Sequence, residues 1–281
     1  MSLQEYLQAN YSPTATKGYH NLIRSFLAFT YRPEKATYQD ITGYIQHLRD
    51  NNKHPKTVRN HLFSIKIYYQ WLVKTGQRPD HPCQYLFLQD KINRAVDIQS
   101  LHSMKQMEEF LASYQAGKKN KATELRERVL IGLLIYQGLT VLEISQLDIE
   151  DLNLEKGTIR VAENVKTNGR ILDLKPNQIL LLQQYINETR KQLLERVKEE
   201  SKALIIDYSG RRIYPHDINR LINYGRKKTE QMKPIKIRQS VIMHLLKSGN
   251  NLRVVQVFAG HKTISSTEAY KQSDLEELKA V

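Results

Sequence analysis

The sequence predicts a mainly α-helical protein with a small β-sheet in its C-terminal part. Apolar residues recur at spacings of three and four along most of the chain, the pattern of helices with one buried face. The period changes in residues 157–174, where β-branched and polar residues alternate around the turn signal Thr167-Asn168-Gly169. The 281 residues, 40% of them hydrophobic, are enough for two ordinary domains with their own cores.

Helices are predicted throughout the N-terminal third, over residues 12–30, 37–51 and 54–77. Pro55 and Gly76 mark the ends of the last one, because proline is tolerated in the first helical turn and glycine commonly follows the last. This helix has the clearest buried stripe, with apolar residues at steps of four and three: Val58, Leu62, Ile65, Tyr69 and Leu72.

A connection between two domains is predicted in residues 77–103, which contain two prolines and no helical period. On this basis the chain divides into a helical N-terminal domain at residues 1–88, a linker at 89–102 and a second domain at 103–281. Ser103 is then the predicted N-terminal cap of the second domain's first helix.

The second domain is predicted to combine helices with a few strands. A helix that is apolar on most sides should end near Gly138. The alternation in residues 157–174 predicts a β-hairpin, with a third strand as an open alternative. A long helix should follow Pro176, and the apolar run at 203–208 predicts a buried strand.

The charge of the chain predicts a polyanionic partner. The formal net charge is +14, with 11 Lys/Arg against 6 Asp/Glu in residues 1–90 and 32 against 23 in residues 91–281. A basic folded protein most often binds nucleic acid, and a basic protein with no such partner is the alternative. Cys83 is the single cysteine, and no apolar stretch is long enough to span a bilayer. These features favour a cytoplasmic protein with no disulfide, no cysteine metal cluster and no membrane partner.

The predicted DNA-binding residues lie on the N-terminal helices. One of them is Lys17, on the first predicted helix. The other four lie on the helix 54–77, outside its buried stripe: Lys56, Arg59, Asn60 and Lys66. Lysine and arginine neutralise phosphates, and asparagine can reach a base edge. The alternative is that these side chains form a solvated helix face.

The segment "AGHKTISSTEAYKQ", residues 259–272, places His261 nine residues before Tyr270. With "LLIYQGLTVLEISQLDIEDLNLEKGTIRV", "VKTNGRILDL" and "IKIRQSVIMHLLKSGNNLRVVQVFAGH", it resembles the tyrosine recombinase (phage integrase) family over almost the whole chain, in order and spacing. The resemblance implies a C-shaped clamp on double-stranded DNA, made of a SAM-like core-binding domain and a catalytic domain. It also implies a homo- or hetero-oligomer of recombinase protomers, and strand transfer through a 3′-phosphotyrosyl link without metal or other cofactor.

Four residues match the catalytic positions of that family. Tyr270 matches the nucleophile, and His261 matches the histidine that precedes it. Arg238 matches the second arginine. Lys166, just before the Asn-Gly turn, matches the lysine on the β-hairpin, although this alignment depends on the placement of a one-residue insertion.

Two positions depart from the family pattern. Thr140 stands where the resemblance expects the first arginine, and Ile235 stands where it expects the first histidine. Loss of one preorganised donor to a reacting phosphate typically slows a reaction on the order of 10²–10³-fold. Thr140 also has a structural interpretation, because Thr140 and Glu143 have the spacing of a helix capping box.

Two functional interpretations therefore stay open. In the first, the chain is an active recombinase with a rearranged site, and other basic residues cover the phosphate; the candidates nearby in sequence are Arg160, Arg170, Lys233 and Lys236. In the second, the chain is an accessory DNA-binding subunit with a degenerate site, which assembles with an active recombinase. Residues 273–281 have a helical apolar rhythm that predicts either docking on a neighbouring protomer or a frayed end.

Overall fold

The computed structural model describes residues 1–90, 96–115, 121–198 and 200–271. The chain forms two compact units, Met1–Asn93 and Arg94–Val281. Residues 96–102, which the sequence assigns to a linker, carry apolar side chains that pack in the second unit; they are Val96, Ile98 and Leu101. The domain boundaries at 88 and 103 stay a prediction, and the C-terminal segment 273–281 lies outside the described residues.

The first unit is helical, as the periodicity predicts. Its helices are α1 (Leu3–Asn10), α2 (Pro13–Phe29), α3 (Tyr38–Asp50) and α4 (Pro55–Lys74), with a 3-10 turn at Pro33–Lys35. The apolar stripe of α4 is buried throughout. Helix α1 was missing from the sequence-based prediction, and a capping box between Ser2 and Glu5 starts it.

The described part of the second unit combines eight named helices with a small sheet. The helices are α5 (Met104–Ala112), α6 (Lys121–Tyr136), α7 (Val141–Gln146), α8 (Pro176–Gln184), α9 (Lys191–Val197), α10 (Pro215–Ile222), α11 (Pro234–Lys247) and α12 (Leu252–Ala259). Residues 265–271 are also helical. The strands are β1 (Leu152–Asn153), β2 (Thr158–Val161) and β3 (Arg170–Asp173), and 3-10 turns lie at Ile98–Ser100, Ser113–Gln115, Ile149–Asp151 and Lys228–Glu230.

Helix α6 lies at the centre of this unit, as its all-round apolar surface predicts. Leu130, Ile131 and Leu134 are fully buried. The chain leaves the helix through Gly138, whose φ of 58° lies in the left-handed region that favours glycine. Ser103 caps α5 as predicted, because its side chain accepts a hydrogen bond from the Gln106 N–H.

The predicted hairpin is present, and the third strand joins it. The sheet order is β1-β2-β3, and both pairs are antiparallel. Val161 pairs with Arg170 at the end of the hairpin, so residues 162–169 form the loop between β2 and β3. This loop is longer than the tight turn that Thr167-Asn168-Gly169 indicates, because the loop residues bind other parts of the unit.

The helix after Pro176 is present, but it contains a π-helical segment at Tyr185–Arg190 between α8 and α9. The predicted strand at residues 203–208 is wrong. Its apolar residues are buried, but their backbone groups bind loops: the Leu204 N–H donates to the Leu147 carbonyl at 2.9 Å, and the Ile213 N–H donates to the Ile205 carbonyl at 3.2 Å. Burial of an apolar run does not require a ladder of strand pairs.

Candidate active site

A buried carboxylate organises the candidate site. Thr140 is the N-cap of α7, and Glu143 is the third residue of that helix. The Thr140 backbone N–H and hydroxyl both donate to Glu143 Oε2, at 2.8 and 2.9 Å, and the Glu143 N–H donates to Thr140 Oγ1 at 3.2 Å. The predicted capping box is confirmed, and it holds the Glu143 carboxylate inside the unit.

The other oxygen of Glu143 binds the hairpin. Arg170 Nη1 donates to Glu143 Oε1 at 2.6 Å, and the Thr167 hydroxyl donates to the same oxygen at 2.9 Å. Arg238 Nη1 lies 3.7 Å from Glu143 Oε2. Burial opposes ionisation of Glu143, but the hydrogen bond and charge of Arg170, the Thr140 N–H and the charge of Arg238 together outweigh it, so the pKa of Glu143 lies below its usual value. Glu143 is therefore ionised at neutral pH.

Arg238 joins three segments of the unit. It lies on α11, and its side chain is buried with an exposed fraction of 6%. Arg238 Nη1 donates to the Gly138 carbonyl at 2.6 Å, and Nη2 donates to the Ala259 carbonyl at the end of α12. The guanidinium is thus fixed between the end of the α6 segment, the start of α7 and the end of α12.

The turn at Gly260 brings the hairpin loop to the C-terminal part of the chain. Gly260 ends α12 with a φ of +67°. Its carbonyl accepts a hydrogen bond from the Asn168 N–H at 2.8 Å, and Thr167 forms a β-bridge with His261. A Cβ atom at position 260 would lie 2.5 Å from Arg170 Nη1 and 2.9 Å from the Asn168 carbonyl oxygen. Glycine is therefore required for this close approach.

His261 is held in an uncharged form. Its Nδ1 lies 2.8 Å from Thr267 Oγ1. Burial, followed by the charges of Arg238 and Arg170, lowers the pKa of His261 to about 4. The ring is therefore neutral near pH 7. If Nδ1 accepts from the Thr267 hydroxyl, the ring proton is on Nε2, where it can donate to a substrate oxygen.

Tyr270 lies beside this histidine. It belongs to the helical residues 265–271, and its ring stacks on the His261 ring with a centroid separation of 6.4 Å and an interplanar angle of 20°. The Tyr270 ring packs in an apolar cluster with Ile242, Met243, Val255 and Ala259. Burial raises the pKa of Tyr270, although the nearby charge of Arg238 acts in the opposite direction. Tyr270 is therefore a neutral phenol at neutral pH.

The structure brings together three of the four predicted catalytic residues, Tyr270, His261 and Arg238. The fourth, Lys166, has an exposed side chain on the loop 162–169, next to Thr167 in sequence; its backbone N–H donates to Asn164 Oδ1 at 2.8 Å. Ile235 is the second residue of α11, and it is 58% exposed. An isoleucine there supplies no hydrogen-bond donor.

Three further residues belong to the site. The sequence indicates Glu143 only as part of a helix cap and Thr167 only as part of a turn, whereas Arg170 is one of the four basic residues that it offers for covering the phosphate. The strand alternation that points Arg170 inward is visible in the sequence once the hairpin register is known. The contact of Thr167 with Glu143 joins residues 24 positions apart, and no local pattern signals it.

The predicted DNA-binding residues of the first unit differ in their surroundings. Lys17, Lys56 and Asn60 are exposed. Arg59 Nη2 donates to the Asp90 carbonyl at 3.0 Å. Lys66 Nζ donates to the Gln84 carbonyl at 2.9 Å and lies 4.2 Å from the centroid of the Phe87 ring. Arg59 and Lys66 thus already make contacts with the segment that follows α4.

The same described ranges bear on two other kinds of site, metal centres and membrane spans. Within these ranges, no three His, Cys, Asp or Glu side chains are grouped so that they could hold a metal ion. None of the helices described is long and apolar enough to cross a membrane.

Comparison with known proteins identifies related sequences and folds. The model of the phage integrase family matches residues 103–277, and the model of its N-terminal SAM-like domain matches residues 2–78. The tyrosine recombinase XerD of Oceanobacillus iheyensis is 28% identical over 242 residues, which cover 84% of this chain and 78% of that protein.

Two solved structures share the fold. The Tn1549 transposon integrase in complex with transposon right end DNA has a TM-score of 0.66 and 15% identity, with coverage of 100% of this chain and 99% of that one. A lambda integrase dimer bound to a COC′ core site has a TM-score of 0.63 and 12% identity, with coverage of 96% and 94%. At these identities the likeness shows the fold alone.

Proposed function

This chain belongs to the phage integrase family, and we propose that it breaks and rejoins DNA strands in site-specific recombination or integration, with Tyr270 as the nucleophile. One observation carries the proposal: Tyr270 stacks on His261, and the charge of Arg238, which lies 3.7 Å from the buried carboxylate of Glu143, acts on both rings. A phenol can be the nucleophile on a phosphodiester, and a guanidinium and an uncharged imidazole can donate hydrogen bonds to its oxygens.

The proposed reaction is a transesterification. The Tyr270 hydroxyl oxygen forms a bond to phosphorus, and the bond from phosphorus to the 5′ oxygen breaks. The tyrosine loses its proton, and the leaving 5′ oxygen gains one, so one phosphate ester replaces another and no external energy source is needed. The 3′-phosphotyrosyl link keeps the energy of the broken ester, and a 5′ hydroxyl of a partner strand can reverse the step.

Charge on the phosphate oxygens grows during the attack. Arg238 and a neutral His261 with its proton on Nε2 are the proposed donors that stabilise this charge. They are held in place before the substrate binds, since Arg238 binds two carbonyls and His261 binds Thr267. The proposed donor to the leaving 5′ oxygen is Lys166, whose exposed side chain stands next to Thr167 on the loop 162–169.

Double-stranded DNA is the proposed substrate, and the cytoplasm is the proposed compartment. The net charge of +14 and the exposed Lys17 and Lys56 of the first unit support a phosphate-binding surface. The structural relatives described above are an integrase in complex with DNA and an integrase dimer on a core site. By analogy, this chain would act as an oligomer of recombinase protomers on DNA.

Thr140 and Ile235 favour a second candidate function. Because neither side chain can supply the cationic or imidazole donor expected at its position, the chain would bind DNA and assemble with an active recombinase without cutting. The two candidates share the fold and the DNA partner. They differ in whether Tyr270 becomes linked to DNA.

A nicked suicide duplex separates these candidates. The duplex would carry DNA that flanks the gene of this protein. Because of the nick, cleavage releases a short fragment with the 5′ hydroxyl, so the strand cannot be rejoined and the covalent complex accumulates. We expect a covalent band in denaturing gels that is lost in Tyr270→Phe and kept in Tyr214→Phe, a matched change at a tyrosine that is 60% exposed. Wild-type protein that binds this duplex and gives no band would instead support the accessory function.

A further inference from the structure

Arg170 enters the site from the sheet. It is the first residue of β3, and the alternation of that strand places Arg170 and Leu172 on the buried side and Ile171 and Asp173 on the exposed side. The pairing of Arg170 with Val161 fixes this register. The strand therefore delivers a guanidinium to Glu143, with the 2.6 Å contact described above.

One edge of this guanidinium has no acceptor. The Arg170 side chain is 2% exposed, and within the described part of the chain Nε and Nη2 are buried without a hydrogen-bond partner. These two nitrogens form one edge of the group and point two N–H bonds in parallel. Buried charged donors without an acceptor are costly and rare. Two parallel donors match the two oxygens of a phosphate or carboxylate, so an anion would satisfy both.

Two other donor groups of the site already make hydrogen bonds within the protein, although each terminal nitrogen of Arg238 keeps a second N–H for the phosphate. Arg238 donates from both terminal nitrogens to carbonyl oxygens, at Gly138 and Ala259. The Thr140 N–H and hydroxyl both donate to Glu143. Arg170 thus has a fixed position and, within the described residues, a whole edge of its guanidinium without a hydrogen-bond partner.

The charges of the site leave room for an anion. The guanidiniums of Arg170 and Arg238 carry two positive charges, and Glu143 carries one negative charge, which leaves one positive charge in excess. His261 is uncharged near neutral pH and adds nothing to this balance. A phosphodiester carries one negative charge, so its binding would neutralise the site.

We propose that Arg170 is a phosphate-binding catalytic residue, and that it supplies from β3 the guanidinium that Thr140 cannot supply from the start of α7. Nε and Nη2 donate to the non-bridging oxygens of the phosphate, while Nη1 stays on Glu143. The inference rests on the proposed function, because the phosphate is the one that Tyr270 attacks. The competing account is that Arg170 is only a structural partner of Glu143.

Single-turnover rates of covalent complex formation on the nicked duplex test this role. We expect Arg170→Gln to slow the step on the order of 10²–10³-fold. The matched control is Arg160→Gln, which removes the same charge from the neighbouring strand at a side chain that is 63% exposed, paired with Asp151. That control should stay within about threefold of wild type. An Arg170→Gln rate within about tenfold of wild type would overturn the proposal.

A rescue experiment excludes a merely structural effect. Adding Thr140→Arg to Arg170→Gln places a guanidinium at the start of α7, and we expect it to restore the rate by at least about tenfold. A structural role predicts no rescue, because the new arginine would not replace the contact between strand β3 and Glu143. Circular dichroism and thermal unfolding of both variants would establish that each is folded.

A binding experiment tests the same contact without cleavage. In a Tyr270→Phe background, single neutral methylphosphonates are scanned along the duplex, with and without Arg170→Gln. We expect one phosphate whose neutralisation weakens binding in the Tyr270→Phe protein and has no further effect once Arg170 is replaced. Equal losses for every duplex would overturn the Arg170 proposal. A third outcome is that the effects of Arg170→Gln and of one methylphosphonate are not additive, but wild-type protein forms no covalent band. That outcome would refute strand cleavage and would still support the contact between Arg170 and the phosphate.

Discussion

At the residue scale, Glu143 is the group on which the site depends. It binds the hairpin through Arg170 and Thr167, and it holds the start of α7 through Thr140. A buried carboxylate of this kind would be costly without its cationic partners, and each of those partners would be costly without the carboxylate. The positions of Arg170 and Arg238 therefore depend on each other through Glu143.

His261 gives this site a pH dependence that can be measured. Because the pKa of His261 is lowered to about 4 from 6.5, the unfolded chain takes up a proton at this residue between those pH values and the folded protein does not. Folded-state stability should therefore fall as the pH decreases from 6.5 to 4, by at most about 3 kcal/mol from this residue. Urea unfolding from pH 4 to pH 7 measures it.

The variant His261→Gln isolates the contribution of this residue. Buried His61 and half-buried His81 and His102 also have lowered pKa values, so only the difference between wild type and variant is informative. We expect the stability of wild type relative to the variant to decrease as the pH falls. Parallel profiles over this range would show that His261 is not held uncharged by the fold.

At the scale of elements, the Gly260 turn connects α12 to the hairpin loop. Its carbonyl binds the Asn168 N–H, and its missing side chain leaves space for Arg170. The same turn orients His261, nine residues before Tyr270. One residue without a Cβ thus positions the guanidinium, the imidazole and the hairpin relative to each other.

Alanine at position 260 should destabilise the protein in two ways, through backbone strain at a positive φ and through overlap of the new Cβ with its neighbours. A second glycine separates the two effects. Gly249→Ala is the matched control, because its φ is +82° and no atom lies within 4 Å of the added Cβ. We expect that change to cost about 1 kcal/mol of stability. Gly260→Ala should cost at least about 1 kcal/mol more, because a Cβ there overlaps Arg170 and the Asn168 carbonyl.

The two glycine variants should differ more in activity than in stability. Displacement of Arg170 and His261 by Gly260→Ala should slow covalent complex formation by about 100-fold, since misplacement of catalytic groups by about 1 Å has effects of this size. Unfolding measurements and the nicked-duplex assay would be made on the same preparations. Equal rates for Gly249→Ala and Gly260→Ala would contradict the role assigned to the turn.

The elements differ in how well the sequence predicts them. Helix α4 and its stripe follow from a period that burial on one face imposes, and the hairpin follows from alternation around a turn. Residues 203–208 were assigned wrongly, since a short buried run has no period that separates strand from loop. The inward direction of Arg170 depends on the register of β3, and its partner Glu143 lies 27 residues away.

At the scale of the whole molecule, the dependence of DNA binding on salt follows from how many Lys and Arg side chains neutralise phosphates, and the net charge of +14 supplies many candidates. The contributing residues are not equivalent. Lys56 is exposed, whereas Lys66 donates to the Gln84 carbonyl and lies over the Phe87 ring. A lysine that is already engaged gives up those contacts when it binds a phosphate.

This difference predicts the effect of two matched substitutions. A plot of the logarithm of the binding constant against the logarithm of salt concentration has a negative slope. Lys56→Gln should make this slope less steep by about 0.9, the value for one phosphate contact. Lys66→Gln, with the same charge change on the same helix, should change it by less. Titrations of one duplex between about 50 and 200 mM salt would measure both slopes. Equal reductions would show that the contacts of Lys66 do not limit its availability.

The central claim is that Tyr270 becomes linked to DNA. The most direct test is to trap wild-type protein on the nicked duplex, digest the protein and the DNA, and identify by mass spectrometry the peptide that carries a nucleotide. We expect the nucleotide on the peptide that contains Tyr270, attached through a 3′ phosphate. A nucleotide on a different tyrosine, or no modified peptide from protein that binds the duplex, would contradict the account.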